Sequence, residues 1–254
     1  MIEQIWEWMM RCLLLGLAAI FLIAASPAEE ADRLIEQGKG KEALALIEKA
    51  AGAGDAEAID YLASLYDEGK VVEQDLVQAA SLYRRAADAG NSHAQWRLGV
   101  MLDMSEGVAE NPEEAVQWFR KAAAQGDRSA IVSLAVMHAM GRGVAQDFVE
   151  SMKLYREAAR RGEPHGFYGV GILHARGEGV EEDRAEAFAW MLAAANLGDE
   201  QAKDLIEKEA FIDEDGQRAA NRANEILKEF GHPNKQVKFR DLDAEKESAQ
   251  PRPK

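Results

Sequence analysis

The chain has 254 residues, of which 47% are hydrophobic and 30% charged, with six prolines and a formal net charge of -15. This composition suits a mostly helical globular body, because apolar residues are plentiful and helix breakers are few. The acidity argues against nucleic acid or an anionic lipid surface as partner, since both need clustered Lys and Arg.

The first 28 residues are interpreted as an export signal. An uncharged apolar run follows Arg11 and ends at Ala25, and small residues then form a cleavage site ahead of Glu29. Residues 8–25 contain a single charge, so an uncleaved inner-membrane anchor is the alternative. We expect a periplasmic or secreted protein that meets the membrane only through this segment.

The rest of the chain repeats with a period of 36 residues. Each period is marked by a glycine, which an acidic residue or Asn follows, and by an alanine three residues before that glycine. A fixed period of this length is typical of a solenoid, whose units bury their apolar faces against their neighbours. The five glycines are Gly54, Gly90, Gly126, Gly162 and Gly198.

Within each unit, apolar spacings of three and four predict two amphipathic helices joined by a glycine-containing loop. The loop glycines supply positive φ, as Gly141 and Gly143 are expected to do. The first unit has Val71 in place of the second loop glycine, and the second unit has Ser105 in place of the first, so these two loops are less well defined by the pattern. A short polar residue is expected to cap each second helix: Asp75, Asn111, Asp147 and Asp183.

The period also divides the chain into segments. Residues 29–55 are predicted to form N-terminal capping helices, and residues 56–199 form four repeats. Residues 200–230 are predicted to form C-terminal capping helices with a charged outer face. Residues 231–254 are polar and contain three prolines, which predicts a disordered tail.

The recurring string Ala-x-x-x-Leu-Gly…Gly-x-Gly-Val-x-x-Asp…Ala…Trp/Tyr…Ala-Ala…Gly-Asp resembles the Sel1-like repeat, a relative of the tetratricopeptide repeat. The resemblance covers about residues 30–230 and stays in register throughout. It implies an all-α fold, an α/α solenoid in which antiparallel helix pairs form a right-handed superhelix. It also implies an adaptor role in complexes, and export in many bacterial members.

No catalytic residue, metal site or cofactor is predicted. The Gly-x-Gly loops follow no strand, so they are interpreted as chain reversals rather than phosphate-binding loops. His138 and His174 are equivalent residues of stacked helices about 10 Å apart, which is too far to share a metal easily, so packing is predicted for both. The only cysteine, Cys12, lies in the export segment, so the body has no thiol chemistry.

A helical wheel predicts the binding surface. The small residue near the start of each first helix is taken as the origin: Ala58, Ala94, Ala130 and, in the fourth unit, Gly166. The residues two and six positions later then point away from the apolar cluster. In the first unit they are polar, Asp60 and Ser64, but in the next three units they are apolar or aromatic. We expect a continuous stripe on the concave side of the solenoid, formed by Trp96, Val100, Val132, Val136, Tyr168 and Ile172.

Contiguous exposed apolar surface is typical of partner sites, where Trp and Tyr are frequent anchors. Arg97, beside the stripe, is expected to pair with an acidic group of the partner. The alternative is that these side chains pack against neighbouring repeats or are covered by the chain termini.

Two functions remain open at this point. The first is a non-enzymatic adaptor of the cell envelope that holds a peptide or partner protein on the concave face. The second is an envelope hydrolase or cell-wall enzyme, which a nucleophile and base clustered in the groove would favour. The sequence shows no such pair, so the adaptor is preferred and no enzyme is predicted.

Overall fold

The computed structural model describes residues 25–208 and 214–237, and every regular element within them is an α-helix. Most of the predicted export signal, residues 1–24, lies outside this part of the chain. None of the helices that the structure describes combines the length and apolarity needed to cross a membrane. The twelve helices are α1 (Pro27–Glu36), α2 (Gly40–Gly52), α3 (Ala56–Glu68), α4 (Leu76–Asp88), α5 (Ser92–Met104), α6 (Pro112–Ala124), α7 (Arg128–Met140), α8 (Phe148–Arg160), α9 (Pro164–Arg176), α10 (Arg184–Leu197), α11 (Glu200–Lys208) and α12 (Glu214–Glu229).

The predicted caps begin the second helices. Asn111 and Asp183 each accept a backbone N–H bond from the residue three positions later, at 3.1 and 2.9 Å. Asp147 accepts two such bonds, and Asp75 accepts one from Gln78 at 2.9 Å. A short polar side chain at each of these positions satisfies N–H groups that the helix leaves unpaired.

All four repeat loops have the same backbone, including the two that depart from the glycine pattern. Gly141 and Gly177 end their helices in the left-handed region with φ near +66°, and Ser105 does the same with φ +59°. Val71 adopts φ +67° at the position that Gly143 fills in the third repeat, where φ is +63°. A left-handed conformation costs a residue with a Cβ atom about 1–2 kcal/mol, so the first loop keeps this geometry under strain.

The chain groups into two compact units, residues 1–85 and 86–254. In the first unit, α2 packs against α1 and α3. Ala43, Ile47 and Tyr83 are buried there. The Tyr83 hydroxyl donates to the buried Asp67 carboxylate at 3.2 Å, which holds the start of the repeat array without exposing a polar group.

In the second unit each helix from α5 to α10 packs against the next one along the chain. Small residues open the first helices because the neighbouring helix lies so close. Gly166 replaces alanine at this position in α9, where an added Cβ atom would stand 2.5 Å from the backbone nitrogen of Ala159.

Successive loops interlock with the preceding repeat in the second unit. A Cβ atom on Gly143 would lie 2.2 Å from the carbonyl oxygen of Pro112, at the start of α6. A Cβ atom on Gly179 would lie 2.8 Å from the Cβ atom of Phe148, at the start of α8. These glycines are therefore required by close approach as well as by positive φ.

An aromatic cluster attaches α12 to the body. Phe230 meets Trp190 at a ring-centroid distance of 5.1 Å and Phe167 at 5.6 Å. Residues 231–237, which the sequence assigns to a disordered tail, continue this packing: Asn224 exchanges two hydrogen bonds with the backbone of Val237 at 2.7 and 3.1 Å. The packed body thus extends seven residues beyond Phe230, and residues 238–254 lie outside the described part.

Candidate partner-binding site

The six predicted stripe residues lie on three first helices of the second unit, two each on α5, α7 and α9. All six are half-buried, so none is a fully exposed side chain or a core residue. Their burial lies between the two alternatives, an exposed partner surface and packing against neighbouring repeats, because each side chain is partly covered by the protein and partly open to solvent. They are Trp96, Val100, Val132, Val136, Tyr168 and Ile172.

A hydrogen bond aligns the stripe between two repeats. The Trp96 indole N–H donates to the Ser133 hydroxyl at 3.1 Å, from α5 to α7. The same hydroxyl donates to the carbonyl of Ser129 at 3.0 Å, so both of its hydrogen-bonding roles are used inside the protein. The polar edge of Trp96 is thereby satisfied internally, and its contact with a partner would be mainly apolar.

On α7 and α9 the stripe continues into the core. Val132, Val136 and Tyr168 pack from the outside against the buried cluster that includes Phe167 and Trp190. Burial, with Asp199 as a second cause, raises the pKa of Tyr168, so its hydroxyl stays neutral at physiological pH. Because these side chains pack on the buried core, a partner would meet a preformed surface.

Two methionines that the sequence analysis missed extend the stripe. Met104 and Met140 are 64% and 62% exposed, and each follows a stripe valine by four residues. Residues four apart lie on one helix face, so extending the wheel from six to ten positions would have found them. In α9 the equivalent residue is Arg176, whose side chain is 64% exposed. We call the six stripe residues together with Met104 and Met140 the apolar grid.

Beyond α9 the grid opens into a pocket of about 340 Å³. Its lining is apolar except for one arginine at the rim, Arg184, whose side chain is 83% exposed. Because the grid residue Ile172 forms part of this lining, the pocket continues the same surface. The apolar lining residues are Ile172, Ala175, Ala187, Phe188, Met191 and Leu205.

Arg97 has a carboxylate partner within its own repeat. Its guanidinium lies 3.1 Å from Glu106 Oε2, with both side chains partly buried. A partner's acidic group would have to compete with Glu106, and the predicted pairing of Arg97 across an interface stays a prediction.

A second cavity, of about 530 Å³, lies between the start of α10 and α12 and contains Arg218 and Arg222. Arg222 donates two hydrogen bonds of 2.9 Å to Glu186, and the Trp190 indole adds a third at 3.0 Å. Burial alone would raise the pKa of Glu186, but these bonds lower it overall, so the group is an ionised carboxylate. Such a carboxylate joins α12 to α10 and is a poor general acid.

His138 and His174 are half-buried, and the Nδ1 atom of each is buried without a hydrogen-bond partner among the described residues. Burial lowers the pKa of His174, which favours a neutral ring. Within residues 25–208 and 214–237, no cluster of three or more His, Cys, Asp or Glu residues is arranged to hold a metal.

The Sel1 repeat model matches residues 56–91, 92–127, 128–163 and 167–199. These matches cover more than half of the chain, so the protein belongs to the Sel1 repeat family, whose members generally act as protein–protein interaction scaffolds. The first three matched ranges follow one another at intervals of 36 residues, which is the period found in the sequence. A comparison with curated proteins gives no match.

Two solved structures support the same assignment. A Sel1 repeat protein from Oxalobacter formigenes is 28% identical, with a TM-score of 0.67 over 86% of this chain and 96% of that one. A protective antigen of uropathogenic Escherichia coli, described as displaying an SLR fold, is 27% identical with a TM-score of 0.67 over 87% of this chain. The match spans 48% of the antigen. The predicted all-α solenoid is confirmed.

Proposed function

We propose that this protein is a non-enzymatic scaffold of the bacterial cell envelope that binds a peptide or partner protein on the apolar grid. The observation that carries the proposal is the exposure of Met104 and Met140 beside half-buried stripe residues on three successive first helices. Apolar side chains that stay in contact with water over such a continuous area favour association.

The methionines give the cleanest test, because Trp96 also bonds to Ser133 and its loss would disturb the fold. We expect the double variant Met104→Ser, Met140→Ser to keep its melting temperature, since neither side chain is core. Immobilised wild-type protein should retain a specific partner from an envelope fraction, and the double variant should retain much less of it.

Val149→Ser is the matched control. Val149 is 69% exposed but lies on α8, a second helix, away from the grid. If the control loses as much partner as the methionine variant, binding follows general surface hydrophobicity and the grid has no special role. If neither variant loses partner, the scaffold binds through another surface.

Localisation in the envelope rests on the sequence of residues 1–28. Export with cleavage predicts a mature N-terminus near Glu29, which N-terminal sequencing of envelope protein would detect. An intact Met1 in the membrane fraction would indicate the anchor instead. In the full chain, Ser26 forms a capping box with Glu29 at the start of α1, so cleavage at this point would remove that cap.

A further inference from the structure

The first helices of the third and fourth repeats have unusually little charge. From Ser129 to Met140 in α7, and from Pro164 to Ala175 in α9, there is no Asp, Glu, Lys or Arg, although 30% of the chain is charged. A charged side chain of a partner, if buried on this face, would lose its water and find no counter-ion. The part of a partner that contacts these two uncharged stretches is therefore uncharged and apolar.

The spacing of the grid restricts the partner's backbone. Packed helices lie about 10 Å apart, and the Trp96–Ser133 bond shows that α5 and α7 are in direct side-chain contact. Seven residues of an α-helix rise about 10 Å, so residues at heptad spacing would meet successive first helices. Side chains on one face of a β-strand recur at about 7 or 13 Å, which does not match.

A polyproline II segment, with same-face residues about 9 Å apart, would fit the spacing but not the chemistry. Its backbone N–H and C=O groups are unpaired and need partners when they are taken out of water. At the α5–α7 contact the polar side chains are already committed, because Trp96 bonds to Ser133 and Ser133 bonds to the Ser129 carbonyl. An α-helix pairs its own backbone N–H and C=O groups, so it needs no hydrogen-bond partners from the grid.

We propose that the occupant of the apolar grid is an amphipathic α-helix that crosses α5, α7 and α9 and places apolar residues on them at intervals of seven. This inference rests on the proposed function and adds the kind of partner. A helix that reaches from α5 to α9 needs about 14 residues.

Arg176 adds charge complementarity at one end of the grid. It takes the position that Met104 and Met140 occupy on the other two helices, and its nearest carboxylate, on Glu178, is 3.9 Å away. The partner helix therefore carries an Asp or Glu at the end that crosses the last turn of α9.

A displayed library of random peptides about 18 residues long, selected on the full-length protein, tests the proposal. Binders that depend on the grid are those at least tenfold weaker on the Met140→Glu variant than on the wild type. The control variant is Val149→Glu, which adds the same charge to a similarly exposed residue outside the grid. The apolar pattern of the grid-dependent binders is then read by sequencing.

We expect apolar residues at intervals of three and four that sum to seven, and a gain of helical circular dichroism when such a peptide binds. Grid-dependent binders with proline-rich patterns of three, or with strict alternation, would overturn the helical partner and leave the scaffold proposal intact. The absence of any Met140-dependent binder would also overturn it. The scaffold proposal itself is decided by the envelope retention experiment.

Discussion

In α3 of the first repeat, the positions two and six residues after Ala58 carry Asp60 and Ser64, whereas in α7 of the third repeat the positions two and six residues after Ala130 carry Val132 and Val136. All four side chains are half-buried, so the two helices expose these positions to a similar degree. The difference lies in the chemistry of the side chains. A solenoid can thus keep one framework and change the side chains at these positions from polar to apolar from one repeat to another.

The same two repeats share their loop backbone bond for bond. Lys70 N–H bonds to the carbonyl of Leu65 in the first, and Arg142 N–H bonds to that of Met137 in the third. Because these backbone bonds set the loop, Val71 is held in a left-handed conformation that its own side chain disfavours. The hydrogen bonds of the repeat loop therefore outweigh the conformational preference of the single residue Val71.

The largest expected effect follows from exchanging the loop residues. Gly143→Val should cost about 1–2 kcal/mol for the left-handed conformation and about 1–3 kcal/mol for overpacking on the Pro112 carbonyl. The reciprocal Val71→Gly relieves about 1–2 kcal/mol of strain and loses about 0.5–1 kcal/mol to backbone entropy. Urea unfolding should show a strong loss of stability for Gly143→Val and a small gain, of about 1 kcal/mol or less, for Val71→Gly. Equal effects would mean that the first loop is not strained.

Exchanging the surfaces should have the next largest effect. Val132→Asp with Val136→Ser gives α7 the residues of α3 at these two positions. We expect partner affinity to fall more than about tenfold, or roughly 1.4 kcal/mol, because a carboxylate would be desolvated in an uncharged interface. Titration of the retained partner measures this, with Val149→Asp on α8 as the control. Unchanged affinity would show that α7 does not contribute to the binding surface.

The smallest expected effect is a pH dependence from His174. Burial lowers the pKa of His174 in the folded protein, so the unfolded chain takes up the proton first as pH falls. The stability from the neutral ring is complete above the ordinary pKa of about 6.5 and is lost as pH falls through it toward the lowered value. His174→Leu introduces the residue found at the equivalent position of the second repeat, Leu102. The melting temperature of this variant should depend less on pH between about pH 7.5 and 5.5 than that of the wild type. The same slope in both proteins would assign the effect to other groups.

The 36-residue period was sufficient to predict the helix pairs, because each boundary is set by local residues such as Asn111 and Asp183 that cap their own helices. The conformation of Val71 could not be predicted in this way, since its left-handed φ is set by the backbone hydrogen bonds of the loop and runs against the preference of its own side chain. The packing of residues 231–237 was also missed, because it depends on Asn224, thirteen residues before the Val237 that it binds.

The candidate site was predicted in part. The wheel found the stripe because apolar residues stand where a solvated face should be polar. It missed Met104 and Met140, which lie at the ends of their helices, beyond the positions compared. The pairing of Arg97 with Glu106, nine residues later in the loop after α5, was not visible in the sequence, because the loop geometry decides which charges meet.

Gly143 packs on Pro112, and Gly179 packs on Phe148. Each contact, or joint, between successive repeats is therefore made by a loop glycine of one repeat and the start of the second helix of the repeat before it. Any window of 36 residues taken from this stretch carries both halves, a loop glycine and a helix start. An in-frame duplication of residues 128–163 would therefore recreate its own joint at the new junction. The array could gain a repeat, and the surface one more row of valines and methionine, without a compensating change elsewhere. A duplication whose length is not a multiple of 36 residues would place a side chain where the loop glycine meets the preceding repeat, and the joint would be lost.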